Sequence, residues 1–232
     1  MPQAALPRIS IILPVYNEAA TLPQTLPSLC HNPTLEVIVV DGGSTDDSVA
    51  IARAHGAKAF VSPEPGRAHQ MNAGAAIATG EILLFLHADT QLPAGFEAGV
   101  MAALADDHVM AGAFDLAIAG PEPGLRWIER GVRWRSRYFG LPYGDQALFL
   151  RSATFMRIGG FPTLPIMEDF VLVQQLQRRG KIAILPQPVL TSARRWQRLG
   201  LVKTTLLNQV MIIGYFAGVA PHRLARWYRR WR

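Results

Sequence analysis

The sequence has a single cysteine, Cys30, in 232 residues. One cysteine cannot build an internal disulfide framework or a cysteine-ligated zinc site, and it is compatible with a reducing cytoplasm. Lysine is scarce as well, because 20 of the 23 basic residues are arginine. Arginine favours bidentate contacts with phosphate and carboxylate groups, so its excess indicates anionic ligands.

Long apolar runs are also missing. No run reaches the roughly 20 residues that a membrane-spanning helix needs, and the apolar segment at residues 201–220 contains Asn208 and Gln209. The first seven residues have neither a basic start nor an apolar run, which predicts no signal peptide. We therefore expect a cytoplasmic protein without a transmembrane span. Its C-terminal end is expected either to lie on the inner face of the membrane or to pack as a lid on the rest of the chain.

Acidic and basic residues are unevenly distributed, although the formal net charge is only +6. Residues 1–120 carry 4 Lys and Arg against 12 Asp and Glu, and residues 121–232 carry 19 against 5. The basic, tryptophan-containing second half raises the hypothesis of a nucleic-acid-binding protein. The acidic first half would repel a phosphate backbone, and the sequence has no helix-turn-helix, RNA-binding or zinc pattern, so we expect no nucleic-acid partner. A phosphate-bearing substrate or an anionic membrane is the alternative ligand for the basic half.

One stripe of basic residues in this half follows helical spacing. It consists of Arg126, Arg130, Arg133 and Arg137, with Trp127 and Trp134 between them. The pattern is typical of a solvated basic face. It is equally compatible with a surface that contacts an acidic acceptor or an anionic membrane.

Apolar runs alternate with helix-like stretches over the first 90 residues, which predicts a Rossmann-like α/β layer. The predicted strands are residues 9–13, 35–40, 58–61 and 81–86, and the predicted helices are 46–55 and 67–78, with a less regular helix at 18–30 that contains two prolines. The second and fourth strands are too uniformly apolar for a half-exposed sheet and suit parallel strands covered on both faces. Beyond residue 90, the predicted strands are 109–118 and 181–185, and the predicted helices are 93–104, 125–138, 168–179 and 201–220, followed by a basic aromatic tail at 222–232.

Polar residues follow three of the predicted strands. The first strand runs into Glu18, the second into Asp41, and the fourth into His87 and Asp89. In an open α/β sheet, ligands bind at the carboxyl ends of the strands. Asp41 and Asp89 each end a very apolar strand, where an unpartnered carboxylate is costly. The sequence thus predicts a polar-ligand site with a hard divalent cation, whereas ordinary turn and cap chemistry is the alternative for Ser44–Ser48.

Motifs that are individually weak follow one another along residues 9–196. They are Ile11–Glu18, Val39–Asp46, Gly66-Arg67 with Asn72 and Gly74, Leu84–Asp89, Glu168-Asp169 and Arg195-Trp196. This ordered set resembles the family-two inverting glycosyltransferases. The resemblance implies a GT-A fold, an α/β fold with a Rossmann-like, mostly parallel central sheet flanked by helices, here followed by a C-terminal helical segment. It also implies a nucleotide-diphosphate sugar as donor, UDP-linked, and an acceptor hydroxyl.

Three further segments resemble a small subgroup associated with arsenosugar or selenium-related gene neighbourhoods. They are Pro142–Gln146, Gly159–Pro162 and Thr191–Trp196. Under the family resemblance, the chain divides into a GT-A catalytic domain at residues 1–198 and a helical segment at residues 199–232. The catalytic domain comprises a nucleotide-sugar half at about 1–90 and an acceptor half at about 91–198.

The resemblance also assigns roles to single residues. The implied nucleotide-sugar contacts are Pro14, Tyr16, Glu18, Asp41, Arg67, Ala88, Asp89, Arg195 and Trp196. Asp41 would bond a ring nitrogen of the base, and Asp89 would bind Mg²⁺ or Mn²⁺ on the diphosphate. The implied acceptor-side residues are Gly144, Asp145, Gln146 and Glu168. Asp169 would be the general base for a small-molecule or lipid-linked acceptor.

Two positions depart from the family's pattern. His87 replaces the first aspartate of the DXD motif, and we expect it to be packed or hydrogen-bonded while the cation stays on Asp89. Ser192 replaces the glutamine of the QxxRW motif, which favours a single transfer over processive polymerisation.

Glu168 and Asp169 are adjacent at a helix start and are expected to face different directions, so only one should be the base. Without the resemblance, a carboxylate pair favoured by the helix dipole would explain them. A dinucleotide-dependent oxidoreductase is a further alternative, which the lack of GxGxxG after the first strand disfavours.

Overall fold

A computed structural model describes residues 8–231. Residues 1–7 of the predicted nucleotide-sugar half and Arg232 of the predicted basic tail lie outside the described residues. The strands within this range are β1 (Ile9–Val15), β2 (Leu35–Asp41), β3 (Lys58–Val61), β4 (Ile82–Phe85), β5 (Thr90–Gln91), β6 (Val109–Ala119), β7 (Leu148–Arg151) and β8 (Lys181–Ser192). The helices are α1 (Leu22–Cys30), α2 (Ser48–Ala54), α3 (Arg67–Ile77), α4 (Phe96–Leu104), α5 (Pro123–Phe139), α6 (Ser152–Ile158), α7 (Glu168–Gln177), α8 (Arg194–Leu199), α9 (Leu201–Phe216) and α10 (Pro221–Trp231).

All of these strands belong to one central sheet in the order β3-β2-β1-β4-β7-β6-β8-β5. The strands β1 to β4 pair in parallel, and β7 is antiparallel to both β4 and β6. On the far side, β8 is parallel to β6 and antiparallel to β5. The predicted α/β class is therefore confirmed, with a parallel first half and a mixed second half.

The largely apolar character of β1, in which Ser10 is the polar exception, follows from its position between two helical layers. Ile11 packs with Leu26 of α1 on one face, and Ile12 packs with Met71 of α3 on the other. The layer of α3 lies very close to the sheet, because a Cβ on Gly74 would come within 2.6 Å of Ile12. Helices on both faces leave only the strand ends open to solvent, and this is where a ligand can enter.

Several elements differ from the sequence-based expectation. The prediction that the last strand ends at Leu185 is wrong, because β8 continues to Ser192 past Pro186 and Pro188. Its register against β6 shifts between Phe114 and Asp115, and the bulge accommodates the prolines, which cannot donate to the ladder. The predictions also missed β5, β7, α6 and α8, which are short.

The C-terminal helices α9 and α10 pack on the start of α7. Leu207 and Met211 of α9 and Leu224 of α10 form an apolar cluster with Met167 and Phe170. Between residues 8 and 231, no helix combines the length and the apolar character needed to cross a bilayer. The segment thus packs on the rest of the chain, which is one of the two predicted arrangements, and the other, contact with a membrane surface, stays a prediction.

Candidate active site

Two cavities meet at the carboxyl ends of β1 and β4. The nucleotide cavity has a volume of about 640 Å³ and lies between these strand ends and α8. The predicted nucleotide-sugar residues that line it are Pro14, Tyr16, Glu18, Arg67, Ala88, Asp89 and Arg195. Residues that are far apart in the sequence therefore come together as the strand-end argument predicts.

The second cavity, which we name the acceptor cavity after the acceptor-side residues predicted for it, is smaller, with a volume of about 380 Å³. Its polar side carries Asp145, Glu168 and Asp169, and its apolar side is formed in part by Met211 and Ile212 of α9. Four residues line both cavities, and they are Arg67, His87, Arg195 and Tyr228. A ligand in one cavity thus shares a wall of two arginines with a ligand in the other.

Arg194 joins two of the predicted carboxylates. Its Nη2 donates to Glu18 Oε2 at 3.0 Å and to Asp89 Oδ2 at 3.1 Å, while its Nη1 donates to Thr21 Oγ1 at 3.0 Å. The two carboxylates raise the pKa of the guanidinium, although partial burial opposes them. Arg194 was not among the predicted site residues, although it stands directly before the Arg195-Trp196 motif. The guanidinium holds the edge of the nucleotide cavity together.

The shared wall contains polar atoms that have no partner within the described part of the protein. The Nε atoms of Arg67 and Arg195 are buried without a hydrogen bond, although Arg67 Nε lies 3.7 Å from Glu168 Oε1. Arg67 also contacts the ring of His87. Burial and the neighbouring Arg67 hold the pKa of His87 well below its usual range, so the ring is neutral and can accept a hydrogen bond. Both arginines line the cavities, and buried N–H groups without a partner favour an anionic ligand there.

The backbone around Asp169 fixes the direction of its carboxylate. Its Oδ2 accepts from the Gly144 amide and its Oδ1 from the Phe170 amide, each at 2.7 Å. A Cβ at Gly144 would lie 2.9 Å from that Oδ2 and 2.7 Å from Arg67 Nη2, so a side chain here would displace Asp169 or Arg67. Met167, with φ of 70°, makes the left-handed turn that begins α7. Asp169 is therefore held in place at the wall of the acceptor cavity.

Two further carboxyls line the same cavity. Burial raises the pKa of Glu168, partly offset by Arg67 and reinforced by Asp169. Burial likewise raises the pKa of Asp145, whose Oδ1 has no hydrogen-bond partner among the described residues. Glu168 and Asp169 both line the cavity, so the expectation that they face different directions does not distinguish them. Their partners do, since Glu168 lies against Arg67 and Asp169 against backbone amides.

Four predicted contacts line neither cavity. Gly144 contributes its backbone amide to Asp169 instead. Gln146 is fully buried; its amide donates to the Phe114 carbonyl, so it supports the turn before β7 and does not face an acceptor. Trp196 packs against the apolar core and lines neither cavity. Asp41 is buried, and its Oδ2 accepts two loop amides, from Gly43 and Ser44, at 2.8 Å each. Its predicted contact with the base stays a prediction.

The segment Ser44–Ser48 connects the two loops that follow β1 and β2. The amides of Asn17 and Glu18 donate to the hydroxyls of Ser44 and Ser48 at 2.8 and 2.9 Å. Asp46 Oδ2 accepts from the Ala19 amide. These bonds join two loops that are far apart in the sequence. Local turn chemistry, the alternative considered for this segment, accounts for the bonds from Ser48 to Asp46 Oδ1 but not for these. The loops at this edge are thus cross-linked and hold Glu18 in position.

The arginine stripe on α5 partly neutralises a buried carboxylate. Asp115 is buried and accepts from Arg133 Nε at 3.1 Å and from Arg137 Nη2 at 2.8 Å. All four arginines of the stripe are nevertheless exposed, as are Trp127 and Trp134 between them. The stripe is therefore an exposed basic face, and its contact with an acidic acceptor or an anionic membrane stays a prediction.

Asp89 is the predicted ligand of a divalent cation. In the part of the chain from 8 to 231, no group of three or more His, Cys, Asp or Glu side chains could hold an ion by itself. A cation that arrives with phosphates commonly takes only one or two protein carboxylates. Asp89 lines the nucleotide cavity at its rim and fits such a single-ligand role. Arg194 stands as the competitor for the same oxygen.

The comparison with protein families decides the classification. The family model described as Glycosyl transferase family 2 matches residues 10–161. The chain belongs to this family. Among curated family-2 relatives, an uncharacterized glycosyltransferase of Mycobacterium tuberculosis is 36% identical over 87 residues, which cover 38% of this chain and 39% of that protein. A PGL/p-HBAD biosynthesis glycosyltransferase of Mycobacterium bovis is 38% identical over 109 residues, covering 44% and 41% respectively. The matched stretches span about two fifths of these relatives.

Solved structures of glycosyltransferases share the fold. A mannosyltransferase from Pyrobaculum calidifontis in complex with GDP-Man and Mn²⁺ superposes with a TM-score of 0.68 at 24% identity, covering 97% of this chain and 70% of that chain. TarS from S. aureus in complex with UDP-GlcNAc has a TM-score of 0.61 at 20% identity, covering 80% and 58%. The predicted GT-A fold of this family-2 chain is confirmed.

Proposed function

We propose that this family-2 chain is an inverting glycosyltransferase that moves a sugar from a nucleotide-diphosphate sugar to an acceptor hydroxyl. The observation that carries the proposal is the meeting of the two cavities at Arg67 and Arg195, with Asp169 also lining the smaller one. The TarS structures with UDP and UDP-GlcNAc support a UDP-linked donor. A GDP-linked donor is the alternative, because the archaeal mannosyltransferase was solved with GDP-Man.

The shared wall explains how the leaving group is stabilised. Breaking the bond between the anomeric carbon and the diphosphate oxygen leaves negative charge on the diphosphate. The buried Nε–H groups of Arg67 and Arg195 can donate to that charge, and such donors act strongly in a site shielded from water. Asp89 would hold Mg²⁺ or Mn²⁺, which when bound neutralises charge on the diphosphate.

The acceptor cavity explains the second half of the reaction. Inversion requires a base on the side of the sugar opposite the diphosphate, and a single carboxylate is enough for it. Asp169 is fixed by two amides and lines the acceptor cavity together with the shared arginines. The acceptor hydroxyl would transfer its proton to Asp169 as its oxygen bonds to the anomeric carbon. A cavity of about 380 Å³ suits a small molecule or the head of a lipid-linked acceptor.

The finer classification rests on residues of the same site. We place the chain in the subgroup associated with arsenosugar or selenium-related gene neighbourhoods, because its Pro142–Gln146 and Thr191–Trp196 segments resemble that subgroup. The structure sets both segments beside the cavities, with Asp145 in the acceptor cavity and Arg194 and Arg195 in the nucleotide cavity. We assign the protein to the cytoplasm as part of this proposal.

The experiment compares Asp169→Asn with Glu168→Gln. Thermal shifts with UDP- and GDP-sugars first identify a donor, and its slow hydrolysis then gives an activity that needs no known acceptor. Because a general base contributes about 10² to 10⁴ in rate, Asp169→Asn should lose at least about a hundredfold in kcat. It should keep the thermal shift, since asparagine can still accept the Gly144 amide. Glu168→Gln should lose much less.

The two variants also define the contrary outcomes. A larger loss in Glu168→Gln would transfer the role of base to that residue. Unchanged hydrolysis in both, with donor binding intact, would mean that neither carboxylate acts as a base. Absence of any nucleotide-sugar shift in the wild-type protein would reject the donor assignment itself.

A further inference from the structure

The helix α9 is apolar on both of its faces. Its inner face carries Leu207 and Met211, which are buried against α7 and α10. Its outer face, which we define as Val202, Leu206, Val210, Ile213 and Phe216, is exposed, with Val202 at 72% and Ile213 at 66%. A helix on the surface of a soluble protein normally presents polar residues on its outer side. The outer face of α9 therefore requires a partner that covers apolar side chains.

The helix α10 extends this apolar surface. Trp227 and Trp231 line a groove of about 600 Å³ together with Leu206 and Val210. Lys203 also lines the groove. Tryptophan next to basic residues is typical of helices that lie at the boundary between lipid headgroups and acyl chains.

The charge of this region decides what kind of partner fits. No acidic residue follows Asp169 in the sequence. The exposed basic residues of α10 include Arg223, Arg226 and Arg230. A second copy of the same surface would repel the first, whereas an anionic bilayer supplies both apolar chains and negative headgroups.

We propose that the outer face of α9 and the tryptophan side of α10 dock onto the surface of an anionic lipid bilayer. Val202, Leu206 and Ile213 would enter the headgroup boundary, and Arg223 and Arg230 would contact lipid phosphates. The chain would lie on the membrane without crossing it.

Docking would also set the position of the acceptor cavity, an implication that rests on the proposed function. Met211 lines both the apolar groove and the acceptor cavity. Tyr228 of α10 lines the acceptor cavity as well. The helices that face the bilayer therefore form the outer side of this cavity. An acceptor carried on a lipid would have its headgroup beside Asp169.

The test is sedimentation of the full chain with vesicles of phosphatidylcholine, alone or mixed with phosphatidylglycerol. We expect binding to the mixed vesicles only, weakened by salt. Arg223→Gln with Arg230→Gln should weaken it about thirtyfold, since each basic residue near a charged membrane contributes about a factor of five. The matched control is Arg178→Gln with Arg179→Gln. These two arginines are exposed at the end of α7, whereas α9 and α10 pack on its start, so the control should leave binding unchanged.

The apolar contribution is tested with Leu206→Asn, matched by Ile77→Asn at another exposed apolar position. Only Leu206→Asn should weaken vesicle binding. Nucleotide-sugar thermal shifts of each variant report folding and the donor site separately, so a failure of docking is distinct from a failure of the proposed function. Equal binding of wild type and Leu206→Asn, or no binding to the mixed vesicles, would overturn the proposal. A dimer in sedimentation equilibrium that Leu206→Asn dissociates would overturn it in favour of self-association.

Discussion

Replacing Arg194 with glutamine should increase the affinity of the nucleotide cavity for a divalent cation. The guanidinium occupies Asp89 Oδ2 and Glu18 Oε2, so a cation that binds Asp89 must displace it. The Arg194 side chain is 53% exposed, and the Asp89 side chain is 26% exposed. Ion pairs this open to solvent contribute roughly 0.2–1 kcal/mol. Removing the competitor should therefore raise the affinity by about 1.4- to 5-fold.

The assay is a titration of the protein with Mn²⁺ in the absence of nucleotide, followed by the electron paramagnetic resonance signal of the free ion. Omitting the nucleotide matters because Arg194 could also contact a diphosphate, which would mask the competition. Arg198→Gln is the matched control, since it removes the same charge from the same cavity. Mn²⁺ affinity that is unchanged or lower in Arg194→Gln would refute the competition. An equal increase in both variants would reduce the effect to overall charge.

Two further predictions concern stability. Asp145→Asn should stabilise the protein at neutral pH, because burial raises the pKa of the Asp145 carboxyl above its ordinary value of 3.8. The folded state then holds its proton more tightly than the unfolded state, so the stability of the wild-type protein falls as the pH rises above about 4. In thermal denaturation, the stability gained by Asp145→Asn should therefore grow with pH. A stability gain that does not depend on pH would contradict this prediction. Gly112→Ala would place a Cβ 2.2 Å from the ring of Phe149 and should cost about 1–3 kcal/mol in urea denaturation. Its control, Gly131→Ala, has no atom within 4 Å of the new Cβ and should gain about 0.5–1 kcal/mol in the middle of a helix; equal effects at both positions would exclude the clash as the cause.

The parallel half of the fold was predictable because its strands leave a strong pattern. Strands covered on both faces are largely apolar, and β2 has only Glu36 as a polar residue before Asp41 at its end, so its position and that final polar residue followed directly. The second half has weaker signals. Pro186 and Pro188 normally end a strand, and only the bulge opposite Asp115 lets β8 continue.

The site was predictable where the motif residue itself lines a cavity. It was less predictable where burial in the fold determines whether a polar residue reaches the cavity. Gln146 and Asp145 are neighbours in one polar motif, yet only Asp145 lines a cavity. No periodicity in the sequence reports that difference. Arg194 was missed for a related reason, since its partner Glu18 lies 176 residues away and an arginine alone does not reveal which carboxylate it meets.

The two cavities are built by different elements, and this has an evolutionary consequence. Strand-end loops and α8 enclose the nucleotide cavity, while α9 and α10 cover the acceptor cavity. Ile212 and Ala225 line only the acceptor cavity of the two and lie on these helices. Substitutions there can change the shape offered to an acceptor without disturbing the sheet, Asp89 or Asp169. New acceptor preferences can therefore evolve through substitutions in α9 and α10. Ile212 and Ala225 are likewise the first positions to vary when engineering a different acceptor specificity.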